Sequence, residues 1–262
     1  MNSELDARET GISSLLFVRC ARFCCLGDPN IRARLRSLHV RKALKGTKSR
    51  TILDAGCGRS GAIGWHGGIA PIAYPLSRFL RESNVTGYDR DPEIVDHNIR
   101  CLEKSAANNL AFEVANFDNP PQKAPYDAVV CSDIARDPSR DAHLFQSLAR
   151  LVRPRGYLIA IVPSNRKLVF NGWFRREETE SGFRRDELES ILTRSGFEVK
   201  KIVPIIGSLS GAAATLASRI ALLSYPLLIL VFPFLMALAM PDTIFQPKGG
   251  DAVLAVATRE DR

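Results

Sequence analysis

The stretch RTILDAGCGRSG, from Arg50 to Gly61, constrains the fold more than any other part of the 262-residue sequence. An apolar run ending at Gly56 is typical of a buried strand, and the glycines that follow match the pattern GxGxxG. In an open parallel sheet, ligands bind beyond the carboxyl ends of the strands. We therefore expect a parallel sheet with a ligand site at this turn.

Strands and helices alternate along the rest of the chain. This alternation predicts an α/β sheet covered by helices on both faces, in one domain from residue 50 to 262. The helical patterns are PEIVDHNIRCLEKSA, DAHLFQSLARLV and RRDELESILTRSG. The further predicted strands are Asn84–Asp89, Ala111–Asn116, Tyr126–Asp133, Gly156–Pro163, Phe197–Pro204 and Asp251–Thr258.

Asp54 stands two residues before the first glycine of the turn. A carboxylate there would repel a pyrophosphate but would attract a ligand with an ammonium group. S-adenosylmethionine has an α-amino group and a sulfonium and no phosphate. Asp89, at the end of the second strand, is then placed to accept hydrogen bonds from the ribose hydroxyls. The structural alternatives are a helix N-cap for Asp54 and a turn carboxylate for Asp89.

In these segments the sequence resembles the class I S-adenosylmethionine-dependent methyltransferases. The resemblance is carried by TILDAGCGRSG, VTGYDRD, FEVANFDNPPQKAPYDAVVCSD, LARLVRPRGYLIAIVPS, ELESILTRSGFEVKKI and the C-terminal GGDAVLAVATRE. It implies a Rossmann-like sheet of seven strands, six parallel and the last antiparallel. It also implies that Asp54, Gly56 and Gly58 hold the methionine end of the cofactor and that Asp89 holds the ribose.

The cofactor site predicted from this resemblance has ten residues. Asn116 stands where the family has an adenine-contacting acid, and its carbonyl can still accept from the adenine amino group. Ser60 replaces the third glycine of the family motif, with Gly61 beside it. The ten residues are Asp54, Ala55, Gly56, Cys57, Gly58, Asp89, Arg90, Asn116, Phe117 and Ser132.

No catalytic residue can be assigned firmly, because methyl transfer needs a base only when the acceptor must lose a proton. His66 is a weak candidate, in an extended glycine-rich loop (Gly61–Pro75) that could cover the site. Asp133, Asp137 and His143 are further candidates. The spacing of histidines and cysteines predicts no metal site and no disulfide, and reduced cysteines suit a cytoplasmic protein.

The acceptor region is predicted between the fifth strand and the next helix. In the family the corresponding segment commonly lines the acceptor pocket, and three aromatic residues could do so here or could simply pack beneath a surface loop. They are Trp173, Phe174 and Phe183. The segment lacks a recognisable RNA-binding module, so a nucleic acid acceptor is disfavoured.

Residues 1–49 are predicted to form a basic helical extension. From Arg32 to Arg50 the chain has eight lysines and arginines and no acidic residue. Such a run can contact the phosphates of anionic lipid or nucleic acid, or can form a solvated helix face.

The segment from Arg219 to Asp242 contains no charged residue between its two ends. It falls within an apolar helical insertion at about 205–245, between two strands of the same sheet, so a single membrane crossing conflicts with the fold. We expect Pro226 and Pro233 to divide it into pieces too short to span a bilayer. It could pack on the domain or a second subunit, or dip into a lipid interface.

The predicted function is methyl transfer from S-adenosylmethionine to a small, lipophilic or lipid-linked acceptor, on oxygen or carbon. The alternatives are an NAD(P)-dependent oxidoreductase, which Asp54 opposes, and a membrane-associated scaffold without activity. The expected location is the cytoplasm, with the protein either free there or peripheral on the inner face of a membrane, and the oligomeric state is not predicted.

Overall fold

A computed structural model describes residues 30–59, 68–105, 107–117, 125–170, 174–178 and 182–261. Seven strands form the main sheet in the order β3-β2-β1-β4-β5-β9-β8. The last strand, β9, runs antiparallel to both of its neighbours, and the other strands are parallel. The predicted sheet is confirmed. Its strands are β1 (Thr51–Ala55), β2 (Asn84–Asp89), β3 (Leu110–Val114), β4 (Tyr126–Ser132), β5 (Val152–Pro163), β8 (Phe197–Ile205) and β9 (Ala252–Arg259).

Helices cover both faces of this sheet. One buried cluster joins the sheet to α1 (Ile31–Leu44), α2 (Ala73–Phe79) and α3 (Pro92–Glu103). The cluster on the opposite face joins it to α4 (Pro138–Leu151) and α5 (Arg185–Arg194). The central strands β1 and β4 are almost continuously buried between these layers, as parallel strands covered on both faces should be.

A small second sheet follows β5 and was not predicted. Strands β6 (Arg166–Phe170) and β7 (Phe174–Glu178) pair antiparallel as a two-stranded hairpin. The sequence of this region carries many charges and no clean alternation of apolar and polar residues, so its periodicity gave no strand signal.

The apolar insertion forms a helical hairpin between β8 and β9. Helix α6 (Ser208–Leu223) and helix α7 (Tyr225–Ala239) meet at Ser224, and the short helix α8 (Pro241–Ile244) follows. Asp242 closes the open end of the hairpin, because its Oδ2 accepts from the Ser210 backbone N–H at 2.8 Å and from the Ser210 hydroxyl at 2.7 Å. Both ends of the hairpin therefore return to the same sheet.

The apolar segment is divided at Ser224, next to Pro226, as predicted, but the predicted division at Pro233 was wrong, and so was the prediction that each piece is too short to span a bilayer. Pro226 lies in the first turn of α7, where a backbone N–H has no intrahelical acceptor, so proline costs the helix no hydrogen bond. Helix α7 continues through Pro233. Within the described residues one helical stretch, Pro226–Ile244, is long and apolar enough to cross a membrane by length and composition, and 28% of it is buried.

Helix α1 uses much of the basic run inside the protein. Arg32 forms an ion pair with Asp251 at 3.1 Å, and Arg36 forms one with Asp133. The guanidinium of Arg34 lies 4.7 Å from the centre of the Phe232 ring on α7, a cation–π contact. Arg41 also stacks on the Phe79 ring. Four of the eight basic residues therefore hold α1 in place, and the other four are exposed: Lys42, Lys45, Lys48 and Arg50.

Candidate functional site

The glycine turn at the end of β1 has a backbone that only glycine adopts easily. Gly56 and Gly58 have φ angles of +70° and +59°, in the left-handed region. A Cβ on Gly56 would lie 2.1 Å from the Ile134 side chain, whereas a Cβ on Gly58 would meet nothing within 4 Å. Gly56 is therefore required by packing. No described residue stands against Gly58 on that side, which leaves its backbone accessible to a ligand within the described part of the structure.

Asp89 ties this turn to the end of β2. Its Oδ2 accepts from the Gly58 N–H at 2.9 Å and its Oδ1 accepts from the Asp91 N–H at 3.1 Å. A carboxylate oxygen can accept more than one hydrogen bond, so this arrangement still leaves acceptor capacity for hydroxyl groups of a ligand. The predicted ribose contact fits the geometry, and Asp89 has a structural role as well.

Asp54 is buried at the same edge, and its Oδ2 accepts from the Ala73 N–H at 2.9 Å. Ala73 is the first residue of α2, whose own N-cap residue makes no side-chain cap bond. Asp54 thus caps the N-terminus of α2 from β1. This is the helix-capping role that the sequence analysis gave as the alternative for Asp54, although the capped helix is 19 residues further along the chain. Burial raises the pKa of Asp54 to about 7, with the charge of Asp89 adding to the effect and the Ala73 N–H opposing it. A cationic ligand group would favour its ionised form.

Asn98 is the site residue that the sequence analysis missed. It is fully buried on α3, where its Nδ2 donates to the Gly58 carbonyl at 2.7 Å and its Oδ1 accepts from the Ala70 N–H at 2.9 Å. It therefore fixes the glycine turn to the chain just before α2. The sequence feature that could have revealed it is the amide of Asn98 on the buried face of an amphipathic helix, which it shares with Val95.

The remaining predicted cofactor residues lie along the same edge. Ala55 pairs with Cys131, the residue before Ser132, and the Cys57 N–H donates to the Tyr88 carbonyl at 2.8 Å. The Ala115 N–H donates to the Asp89 carbonyl at 2.9 Å, which brings the end of β3 beside β2. Arg90 and Asn116 are exposed there, and Phe117 is half-buried. Their contacts with a cofactor stay predictions.

The candidate bases have other roles where the structure describes them. Asp133, with φ of +61°, follows β4 and is paired with Arg36 of α1. Asp137 caps α4, accepting from the Ser139 N–H at 2.9 Å. His143 is exposed on α4, and His66 lies outside the described residues. None of these geometries identifies a general base.

Cysteine and metal chemistry are not indicated at this edge. The described cysteines, Cys57, Cys101 and Cys131, are free thiols. Burial raises the pKa of Cys57, and it raises that of Cys131 to about 12, so both stay protonated at neutral pH. Among the described residues, no group of three or more His, Cys, Asp or Glu could hold a metal ion.

The aromatic residues predicted for the acceptor pocket divide into two cases. Phe183 is buried in the core, where its ring packs edge to face on Phe145 at a centroid distance of 6.3 Å. Its packing alternative is therefore the correct one. Trp173 and the side chain of Phe174 lie outside the described part of the structure.

Comparison with known proteins identifies the family of the chain. A family model described as a methyltransferase domain matches residues 47–196, more than half of the chain. This range includes the glycine turn, Asp89 and Asn98. A search of curated proteins finds no match.

Solved structures share the fold at low sequence identity. An S-adenosylmethionine-dependent methyltransferase from Mesorhizobium loti is 16% identical, with a TM-score of 0.51 over 85% of this chain and 96% of its own. The magnesium protoporphyrin IX methyltransferase of Synechocystis PCC 6803, with bound S-adenosylhomocysteine, is 15% identical (TM-score 0.50; 86% and 81% covered). A phosphoethanolamine N-methyltransferase of Haemonchus contortus is 13% identical (TM-score 0.56; 87% and 52% covered).

Proposed function

Because the chain belongs to the methyltransferase domain family, whose cofactor is S-adenosylmethionine, we propose that its acceptor is a lipophilic or lipid-linked small molecule. Oxygen or carbon is the favoured acceptor atom. The family assignment removes the support for a nicotinamide-dependent oxidoreductase, since the glycine turn that allowed it belongs to the matched domain.

The residues of the site fit this cofactor. S-adenosylmethionine, when bound, supplies an electrophilic methyl group on a sulfonium. Gly58 leaves room for close approach, and Asp89 offers carboxylate oxygens to hydroxyl groups. A cationic group of the cofactor would favour the ionised form of Asp54 against the effect of burial, and the cofactor has no phosphate for that carboxylate to repel. The chain's contribution to rate is then mainly the positioning of the acceptor.

The acceptor proposal rests on where the apolar hairpin joins the sheet. The Ser164 N–H, just after β5, donates to the Asp251 carbonyl at 3.0 Å, and the Asp251 N–H donates to the Ile206 carbonyl at 2.9 Å. The open end of the hairpin therefore lies beside the carboxyl end of β5. This is the edge of the sheet that carries Gly58 and Asp89.

A cavity at the foot of the hairpin supports an amphiphilic acceptor. Its volume is about 430 Å³, and two cationic residues, Arg166 and Lys248, contribute to its wall together with Asp242 and Ser208. A polar or anionic group of an acceptor could lie here while its apolar part follows the hairpin. An aqueous metabolite would gain nothing from that apolar surface.

A methyl-transfer assay tests the proposal. The purified protein is incubated with cofactor labelled in its methyl group and with separate lipid and aqueous extracts of the source cells. We expect label in the lipid extract with the wild type and none with Asp89→Ala, which loses the expected ribose contact. Label confined to the aqueous extract would reject the lipophilic acceptor. If Asp54→Ala abolished cofactor binding and left cellular function unchanged, the scaffold alternative would replace catalysis.

A further inference from the structure

The hairpin of α6 and α7 exposes an apolar surface that the rest of the described protein does not cover. Leu222 and Leu223, at its turn, are 87% and 85% exposed, and Leu230 and Phe234 on α7 are 71% and 75% exposed. The opposite side of α7 is buried through Leu228, Phe232, Met236 and Ala239. The hairpin is thus packed on one side and apolar but open on the other.

The shape of this surface favours lipid over a second copy of the chain. Its two most exposed side chains lie at the turn, where the hairpin ends, and not at the centre of a flat face. Standard protein interfaces bury broad patches with their anchor residues near the centre. From Ser208 to Pro241 the sole charged residue in the sequence is Arg219, so the turn can enter an apolar phase without burying a carboxylate.

The hairpin can enter one leaflet but cannot cross, because both of its helices would have to span the bilayer and the stretch Pro226–Ile244 alone is long enough. Helix α6 has 16 residues, about 24 Å of helix, against a hydrocarbon core of about 30 Å. Several of its residues, including Ala213, Ala214 and Ala217, are buried in the protein core. Asp242 and Ser210 hold the other end of the hairpin against the sheet. The length left outside the protein therefore suits a shallow, one-sided insertion.

Exposed cations lie on two elements that adjoin the hairpin: Lys42 on α1, which packs against α6, and Lys201 on β8, the strand that leads into α6. Helix α1 packs against α6, and its residue His39 has a pKa lowered to about 4 by burial and by the nearby charges of Lys42 and Lys201. Both lysines are exposed. A positive surface flanking an apolar projection matches the anionic headgroups above a lipid interior.

We propose that the α6–α7 hairpin docks the enzyme on an anionic bilayer, with Leu222 and Leu223 inserted into one leaflet and Lys42 and Lys201 at the headgroups. This docking does not depend on the acceptor, and it is measured without methyl transfer.

Liposome flotation tests the proposal with three proteins: the wild type, the double variant Leu222→Glu/Leu223→Glu, and the control Ile99→Glu. Ile99 is an exposed apolar residue on α3, away from the hairpin. Vesicles contain phosphatidylcholine alone, or phosphatidylcholine with about 30% of the anionic lipid phosphatidylglycerol. Calorimetry with S-adenosylhomocysteine and circular dichroism show that each variant is folded.

We expect the wild type and Ile99→Glu to float with anionic vesicles and to bind neutral vesicles more weakly. The double variant should lose more than about tenfold in bound fraction while keeping its affinity for S-adenosylhomocysteine, because burying these two exposed leucines in lipid drives insertion. A Lys42→Glu/Lys201→Glu variant should remove the preference for anionic vesicles. Absence of flotation at low salt would overturn the proposal. So would a wild-type dimer in light scattering that the leucine variant converts to a monomer without any vesicle binding.

Discussion

At the scale of single residues, three side chains organise the cofactor edge, and each acts through backbone groups. Asp89 and Asn98 hold Gly58 from its two sides, through its N–H and its carbonyl, and Asp54 caps α2. The sequence predicted two of the three because carboxylates at strand ends are visible in a motif. Asn98 was missed because its role depends on which buried face of α3 meets the turn.

Asp54→Asn should remove one pH-dependent contribution to stability, so that the variant gains on the wild type as pH rises. The folded-state pKa of Asp54, about 7, lies above its ordinary value near 4, so the fold binds an extra proton between those pH values. The contribution of Asp54 to stability therefore falls as pH rises from 4 to 7, by about 4 kcal/mol at most. The lowered pKa of His39 acts in the opposite direction over this range, equally in the wild type and the variant, so the difference between the two proteins reports Asp54. Asparagine can still accept from the Ala73 N–H without burying a charge. Urea unfolding at several pH values measures this.

The Asp54 prediction has a clear contrary result. The free energy of unfolding of Asp54→Asn should exceed that of the wild type by an amount that grows from pH 4 to pH 7 and then levels. The side chain in Asp54→Ala cannot accept a hydrogen bond from the Ala73 N–H, so the free energy of unfolding of this variant should increase less than that of Asp54→Asn. Parallel stability curves for wild type and Asp54→Asn would show that Asp54 is ionised throughout in the folded protein.

Asn98→Ala should weaken cofactor binding as well as stability. Losing two buried hydrogen-bond partners costs about 1–3 kcal/mol of stability, and freeing Gly58 should weaken S-adenosylhomocysteine binding about tenfold. Asn109→Ala is the matched control, since Asn109 donates to three carbonyls (Ser77, Leu80, Ser83) at the amino edge of β3. It should lose stability and keep its affinity. Equal affinity in both variants would make Asn98 purely structural.

At the scale of elements, the strands were predictable and the insertion was predictable in part. Each strand of the main sheet is a short apolar run with a turn residue at its end, which the sequence shows directly. The β6–β7 hairpin has no such pattern. The prediction for Pro233 was wrong because it considered only the backbone hydrogen bond that proline removes. An apolar helix that packs against the protein on one side tolerates a proline in its interior. The sequence does not distinguish a pocket role from a core role for Phe183, and its contact with Phe145 in the structure places it in the core.

Asp242→Ala should loosen the hairpin without loosening the sheet. Ser210 loses the acceptor for both its N–H and its hydroxyl, which costs about 1.5–3 kcal/mol because the acceptor is charged. Hydrogen exchange should accelerate in 208–244 and stay unchanged in β1, β4 and β5. Asp186→Ala, which removes an exposed carboxylate from the first turn of α5, is the control. Uniform acceleration across the chain would show that the hairpin is not a separate unit.

At the scale of the whole molecule, the fold places two kinds of surface at one edge of the sheet. The cofactor turn lies at the ends of β1 and β2, and the open end of the apolar hairpin lies at the ends of β5 and β8. Helix α1 joins them, since Arg36 contacts Asp133 beside the turn and Arg34 contacts Phe232 on the hairpin. A rigid connection of this kind would hold the site at a fixed height above a bilayer.

The rate of methyl transfer to a lipid extract reconstituted in anionic liposomes tests this arrangement most directly. Wild type and Leu222→Glu/Leu223→Glu are compared at equal, saturating cofactor. We predict label in the lipid phase with the wild type, and a rate at least about tenfold lower for the variant, with its affinity for S-adenosylhomocysteine unchanged. Equal rates for the two proteins, or label in the aqueous phase alone, would contradict an enzyme that meets its acceptor at the membrane.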